Sequence, residues 1–229
     1  MKNYFLIILV VELCMGSIAP MFSQGPNSGF DISLANGLTF AGPVGQAARY
    51  LEEQGFDDQN VNGFFGEVDY PVKNSVGGSI ALNFSKKLTE TRHFNIQLGY
   101  SKLGRVSGSG NSETISLDFH SMYGAAYYSF FMQSKEIRLG SVLLSNWIIY
   151  NESAIKEVQS KESGVTIGVT IGVGLKLWNS SKTYGRLNLD YMYALPNKFT
   201  PVTLSSNELT ETKISFRHAK ASFIFGVHL

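Results

Sequence analysis

Val165-Thr166-Ile167-Gly168-Val169-Thr170-Ile171-Gly172-Val173-Gly174-Leu175-Lys176-Leu177 alternates without a break. Val165, Ile167, Val169, Ile171, Val173, Leu175 and Leu177 share one side, and the other side holds Thr, Gly and a single Lys. A strand sends successive side chains to opposite faces, so this run is a strand with one apolar and one small, polar face. It exceeds the usual ~5–6 residues and meets the ~9–11 that a tilted strand needs to cross a bilayer.

Seven further segments read the same way. They are Phe30 to Ala41, Ser75 to Lys87, Thr91 to Gly104, Glu113 to Phe131, Lys135 to Tyr150, Lys182 to Leu195 and Lys213 to Leu229. On the apolar faces we expect Phe30, Ile32, Leu34, Leu38 and Phe40 in the first segment, and Phe223, Phe225, Val227 and Leu229 in the last. In Glu113 to Phe131 we expect Ile115, Leu117, Phe119, Tyr123 and Tyr127 to share the apolar face. Lys135 to Tyr150 is apolar on both faces, and its inside stays open.

The connections alternate. Lys87–Thr91, Met132–Ser134 and Asn179–Ser181 are short; Gly42–Asn74, Arg105–Ser112, Asn151–Ser163 and Pro196–Thr212 are longer. Tight periplasmic turns and longer external loops have this asymmetry in outer-membrane barrels. The expected fold is therefore all-β: an eight-stranded antiparallel transmembrane β-barrel with short periplasmic turns and longer external loops. Aromatic girdles are expected from Phe84, Phe94, Tyr127, Phe131, Trp178, Tyr184 and Phe225 near the short turns, and from Phe40, Tyr100, Trp147, Tyr150, Tyr193 and Phe216 near the long ones.

Alternation alone does not orient the faces. The polar side is rich in Gly, Ser, Thr and Asn and poor in charge, whereas a water-facing surface carries more Lys and Glu. Small residues suit the cramped interior of an eight-stranded barrel, and closure leaves no unpaired backbone in hydrocarbon. The apolar side is expected to face lipid. An open porin is not expected, because aqueous channels appear at ~16 strands.

The final strand, with Phe223, Phe225, Val227 and Leu229 in alternation, resembles the C-terminal signal that outer-membrane barrels present to their insertion machinery, with leucine in place of the terminal phenylalanine. Residues 30–229 together resemble the small outer-membrane protein β-barrel family of the OmpA/OmpX-like class. The resemblance implies a barrel domain over residues 24–229, a Gram-negative outer-membrane location, outer-membrane lipid and the insertion machinery as partners, and a structural or surface-binding role. The Ser23-Gln24 junction is similar to cleavage sites of Bacteroidota exports.

Residues 1–23 read as a signal peptide: Lys2 gives a positive start, Phe5 to Val11 an apolar run, and Gly16, Ser17 and Ala19 precede Ser23-Gln24. The apolar run is far short of the ~20 residues of a membrane helix. Cys14, the sole cysteine, lies within this segment, so the mature chain is expected to hold no disulfide and no thiolate chemistry. Removing Lys2 and Glu12 leaves the formal charge of +1 unchanged. That balance excludes a basic field for nucleic acid.

Asp118, His120, Lys176, Arg186, Asp190, His218 and Lys220 are expected to point inward as paired charges filling the lumen. The rival reading of these groups is a proton path or catalytic site. A lipid-modifying acyl hydrolase or transferase would need a nucleophile beside a base. Only His218 with Ser215 and His120 with Ser121 are close in sequence, and odd spacing places each pair on opposite faces. No GxSxG or HExxH occurs, so no catalytic, cofactor or metal residue is assigned and the chain is read as non-enzymatic. A soluble periplasmic barrel binding an apolar ligand is the third alternative.

In the first long connection, Val44 to Gln54 reads as a short helix, with Pro43 at its start, Gly55 as its stop and Ala47, Ala48 and Leu51 as its apolar stripe. It is expected to pack on its own rim, with capping of the mouth as the alternative. Phe64-Phe65 would anchor this connection at the outer interface, and Asp57-Asp58 lack the other ligands of a calcium loop.

Overall fold

The computed structural model describes residues 29–56, 58–63, 66–69, 75–110, 113–153, 158–199 and 212–229. The expected signal peptide 1–23, with Cys14, and Asp57, Phe64 and Phe65 lie outside the described residues.

Among the described residues, twelve strands and one helix occur in the order β1 (Phe30–Ala41), α1 (Gly42–Glu53), β2 (Asp58–Gly63), β3 (Gly66–Asp69), β4 (Ser75–Thr89), β5 (Arg92–Gly110), β6 (Glu113–Met132), β7 (Lys135–Ser153), β8 (Val158–Asn179), β9 (Thr183–Ala194), β10 (Asn197–Phe199), β11 (Thr212–Ile214) and β12 (His218–His228). Eight of the strands form a closed antiparallel ring in the order β5-β4-β1-β12-β9-β8-β7-β6, with β6 pairing back onto β5. No strand in that ring has a free edge along its lower half. This arrangement is consistent with a barrel. The β2–β3 hairpin joins the ring through β2 and the upper part of β5, while β10 and β11 pair only with each other.

Ring register fixes the strand tilt. Successive partners lead from Arg92 through Phe130, Ile137, Val173, Leu189, Ala221, Leu38 and Gly78 to Lys102, ten residues further along β5. With strands ~4.8 Å apart and ~3.3 Å per residue, that stagger corresponds to a tilt of about 40°.

In the lower half, towards the short turns, the expected faces hold. Leu34, Ile80, Leu98, Leu139, Ile171, Leu189 and Phe225 are exposed on the outside, and Ser33, Asn83, Gln97, Thr170, Asn188 and Ser222 are buried inside. The open question of the fifth segment is resolved in the same sense: Ile137, Leu139 and Leu143 face out, Glu136, Arg138 and Asn146 face in.

Along β6 the expected faces are inverted. Ile115, Leu117, Phe119, Tyr123 and Tyr127 are buried inside, whereas Met122, Tyr128, Phe130 and Met132 are exposed outside. Asp118 and His120 therefore share the outward parity and do not enter the lumen. The direction of alternation never changes along β6; the chemistry of its two faces does. Above Ser121 the inward residues are apolar and the outward ones polar.

The strands also run further than the sequence indicates. Arg105 to Gly110 belong to β5, and β7 continues to Ser153, so two of the expected longer connections are largely strand. A bulge between Lys102 and Gly104, with Gly104 at φ 131°, carries β5 into this extension. The last segment is interrupted at residues 215–217, between β11 and β12.

Candidate functional site

The interior has two storeys. In the lower one, five charged side chains from three strands meet: Glu136 and Arg138 on β7, Arg186 and Asp190 on β9, and Lys220 on β12. Each is no more than 6% exposed. Arg138 Nη2 lies 2.5 Å from Asp190 Oδ1, Arg186 Nη1 3.6 Å from Glu136 Oε2, and Lys220 Nζ 4.0 Å from Asp190 Oδ2. The two carboxylates thus sit among three cations, which limits the cost of burying each charge.

Neutral groups extend the network across the ring. Lys220 Nζ donates to Tyr123 Oη at 2.7 Å and to Gln97 Oε1 at 3.1 Å. Gln97 Nε2 donates to Asn83 Oδ1 at 2.5 Å, and Asn83 Nδ2 to Ser33 Oγ at 3.2 Å. A second chain runs from Asn95 to Ser129 at 2.9 Å, then from the Ser129 hydroxyl to Glu136 Oε1 at 2.5 Å. With its carboxamide oxygen turned inward, Asn188 accepts from both amines of Arg138 at 2.8 and 3.0 Å. Aromatic faces take the remaining cationic surface: Arg186 lies 4.4 Å from the centre of the Tyr184 ring and Lys220 4.8 Å from that of Tyr123.

Lys176 stands below this network, over Phe131 and at the edge of a cavity of about 360 Å³ at the short-turn end. His228 closes that end, 2.7 Å from Asp31 and 3.1 Å from Asn179.

The upper storey is apolar. Val44, Ala47, Ala48 and Leu51 of α1, spaced as one helical stripe, are fully buried against Leu103, Val106, Ile115, Leu117 and Phe119 from the ring. Helix α1 therefore caps the mouth rather than packing on its own rim. Its end is a Schellman turn: Phe56 N–H donates to Leu51 O, Gly55 N–H to Glu52 O, and Gly55 takes φ 86°. Gln46 ties the cap to the far end of the chain, donating to Ser215 O at 3.2 Å and accepting from Ser215 N–H at 3.1 Å.

On the outside of the upper storey, Arg105 donates to Asp118 Oδ2 from Nε at 2.9 Å and from Nη2 at 2.5 Å. That hydrogen bond raises the Arg105 guanidinium further above its ordinary pKa, and the charge of Asp118 adds to it. His120 stacks on Trp147 with 5.5 Å between ring centres, and its Nδ1 lies 2.8 Å from Tyr100 Oη. Phe40, Tyr100, Trp147 and Tyr193 of the expected upper girdle face out, but Tyr150 and Phe216 are buried in the upper core. At the lower rim Trp178 and Phe225 face out, joined by Tyr128 and Phe130, while Tyr127, Phe131 and Tyr184 point inward.

Of the seven expected lumen residues, Lys176, Arg186, Asp190, His218 and Lys220 face inward and Asp118 and His120 do not. Glu136 and Arg138 were missed, although their spacing between Ile137 and Leu139 is the same alternation that marks the other strands. Neither serine–histidine pair is a catalytic dyad. Ser215 Oγ donates to Ala194 O at 3.2 Å and His218 Nδ1 is held by Phe216 O at 3.1 Å. Ser121 is buried inside while His120 is outside. Among the described residues no three His, Cys, Asp or Glu side chains gather to hold a metal ion.

The class so defined is a closed antiparallel ring with an apolar outer belt, an ionic lumen and a helical cap. No family model and no curated protein matches the chain. Among solved structures it is similar to the Neisserial surface protein A, NspA, at 15% identity over 86% of this chain and 96% of that one, with a TM-score of 0.42. It is similar to the outer membrane protein OprG from Pseudomonas aeruginosa at 10% identity over 87% and 95%, with a TM-score of 0.46. A major outer membrane protein from Thermus thermophilus matches at 12% identity over 87% and 99%, with a TM-score of 0.45. The fold assignment rests on the strand pairing itself.

Proposed function

We propose that the chain is a non-enzymatic eight-stranded outer-membrane β-barrel of a Gram-negative envelope, acting structurally or as a surface binder through its capped, external end. One observation carries this reading: in the lower half of a closed ring, exposed Leu, Ile, Val and Phe side chains surround a buried ionic interior. Water would favour the opposite arrangement, and hydrocarbon favours this one. On this reading the short turns lie in the periplasm and the extended strands, α1 and the β2–β3 hairpin lie outside. Residues 1–23 are then the export signal, and the outward Phe223, Phe225, Val227 and Leu229 of the last strand engage the insertion machinery.

The test is fractionation of expressing cells, followed by gel electrophoresis of the outer-membrane fraction with and without boiling. A heat-shifted band in that fraction is expected. Recovery as a soluble periplasmic protein with no shift would sink the proposal and return attention to an apolar ligand.

A further inference from the structure

The apolar belt holds one carboxamide among the described residues. Asn36, on the outward face of β1, is exposed, and its side chain makes no hydrogen bond among the described residues. Leu34 and Leu38 flank it along the strand, and Ile80 and Phe223 are its partners on β4 and β12. Apolar side chains therefore enclose it on four sides. At ~3.3 Å per residue and a tilt of about 40°, it lies roughly 10 Å below the level of Phe40 and roughly 15 Å above that of Phe30. That is the middle of the belt, beyond reach of headgroups. Other polar positions there differ in kind: Ser141 has a partner, and Ser145 lies high on β7, two residues from Trp147.

We propose that Asn36 marks the contact surface of a membrane-embedded homodimer, with β1 of one copy facing β1 of the other across a twofold axis. The proposal rests on the outer-membrane reading above. An acyl chain offers nothing to an amide, and an unpaired amide in hydrocarbon is costly. A second copy offers the matching group, because a carboxamide is both donor and acceptor and satisfies itself across a twofold. Small residues let two surfaces approach. Gly78, Ala219 and Ala221 lie on the outward face beside Leu38 and Phe40. A groove of about 450 Å³ bounded by Leu175, Leu187, Leu189 and Phe223 opens one strand away and can receive apolar side chains of the partner. In membranes, close packing of small residues and polar pairing are what hold spanning elements together.

The test uses the full chain with Cys14→Ser, reconstituted into phosphatidylcholine vesicles over a range of protein-to-lipid ratios. Dimer fraction is read by fluorescence energy transfer, and insertion is checked separately by the heat shift on gels. The native Asn36 chain is expected to dimerise, and Asn36→Leu, which suits the belt and keeps the heat shift, to need roughly tenfold more protein per lipid. Leu34→Cys should be joined between copies by a membrane-permeant bismaleimide, which needs no oxidant and spans more than the ~7 Å between Cα atoms that a disulfide allows, whereas Leu139→Cys on β7, diametrically opposite in the ring, should not. Equal dimerisation by Asn36→Leu, a native chain monomeric at every ratio, or cross-linking equally strong at both sites would overturn the proposal. A chain that never enters the vesicles or shows no heat shift overturns the membrane reading, and the dimer with it.

Discussion

The lower and upper storeys are built from the same strands and obey opposite rules. Below Ser121, β6 turns Tyr123, Ala125, Tyr127 and Ser129 inward against charges and shows Met122, Tyr128, Phe130 and Met132 to the outside. Above it, the same strand turns Ile115, Leu117 and Phe119 inward against a helix and carries Ser116, Asp118 and His120 outward. Strand geometry is continuous through the switch, so the solvent on each side must be what changes. On the membrane reading proposed above, the lower storey is arranged for hydrocarbon outside and the upper one for water.

That contrast can be broken at the lumen first. Asp190→Ala strands Arg138 and Lys220 in the interior, and should lower unfolding free energy by about 3–5 kcal/mol. Urea titration of the heat-shifted band in vesicles measures this, and a loss under ~1 kcal/mol would mean that the lumen is far wetter than its burial indicates. In the upper storey, Phe119→Ala should cost about 3 kcal/mol. Its effect should be local: faster proteolysis near α1 with the heat shift retained.

The outer faces give the sharper comparison. Ile171→Arg, in the belt, should cost about 2–4 kcal/mol in lipid, whereas Ser116→Arg, on the upper outside, should stay within ~0.5 kcal/mol. Equal costs would erase the distinction between the storeys. The smallest effect is expected at Gly55, whose positive φ closes the cap helix. Gly55→Ala should loosen α1 by about 1 kcal/mol, seen as faster amide exchange at Phe56, and unchanged exchange there would remove the Schellman turn from the account.

The antiparallel ring and the helix were legible because each has a local signal: alternation in Val165 to Leu177, tight turns such as Gln133-Ser134, and the Pro43 to Gly55 punctuation. What escaped notice depends on where the surroundings change. Leu117 and Leu139 are equally apolar, yet one faces a helix and the other the outside, and no local pattern separates them. Assigning the apolar parity of β6 to lipid along its whole length misplaced Asp118 and His120 together. Glu136 and Arg138 were hidden for the related reason that the top of β7 is apolar inside, with Ile148 and Tyr150, which blurred the strand into apparent two-sidedness. The polar pairs themselves, such as Arg138 with Asp190, meet across Gly172 of the intervening β8 and depend on the register of two strand pairings, which spacing along one segment does not give.

The clasp between Gln46 and Ser215 joins residues 169 apart in sequence. During assembly, contacts between such distant residues must wait for the intervening chain. The cap helix is synthesised early, yet its seat is unfinished until Ile214 and Phe216 arrive just ahead of the closing strand. On that order, sealing of the mouth comes last, and a ring stalled before β12 docks would leave its apolar upper core uncovered. Protection of Leu51 from solvent would serve as a timestamp for completed assembly.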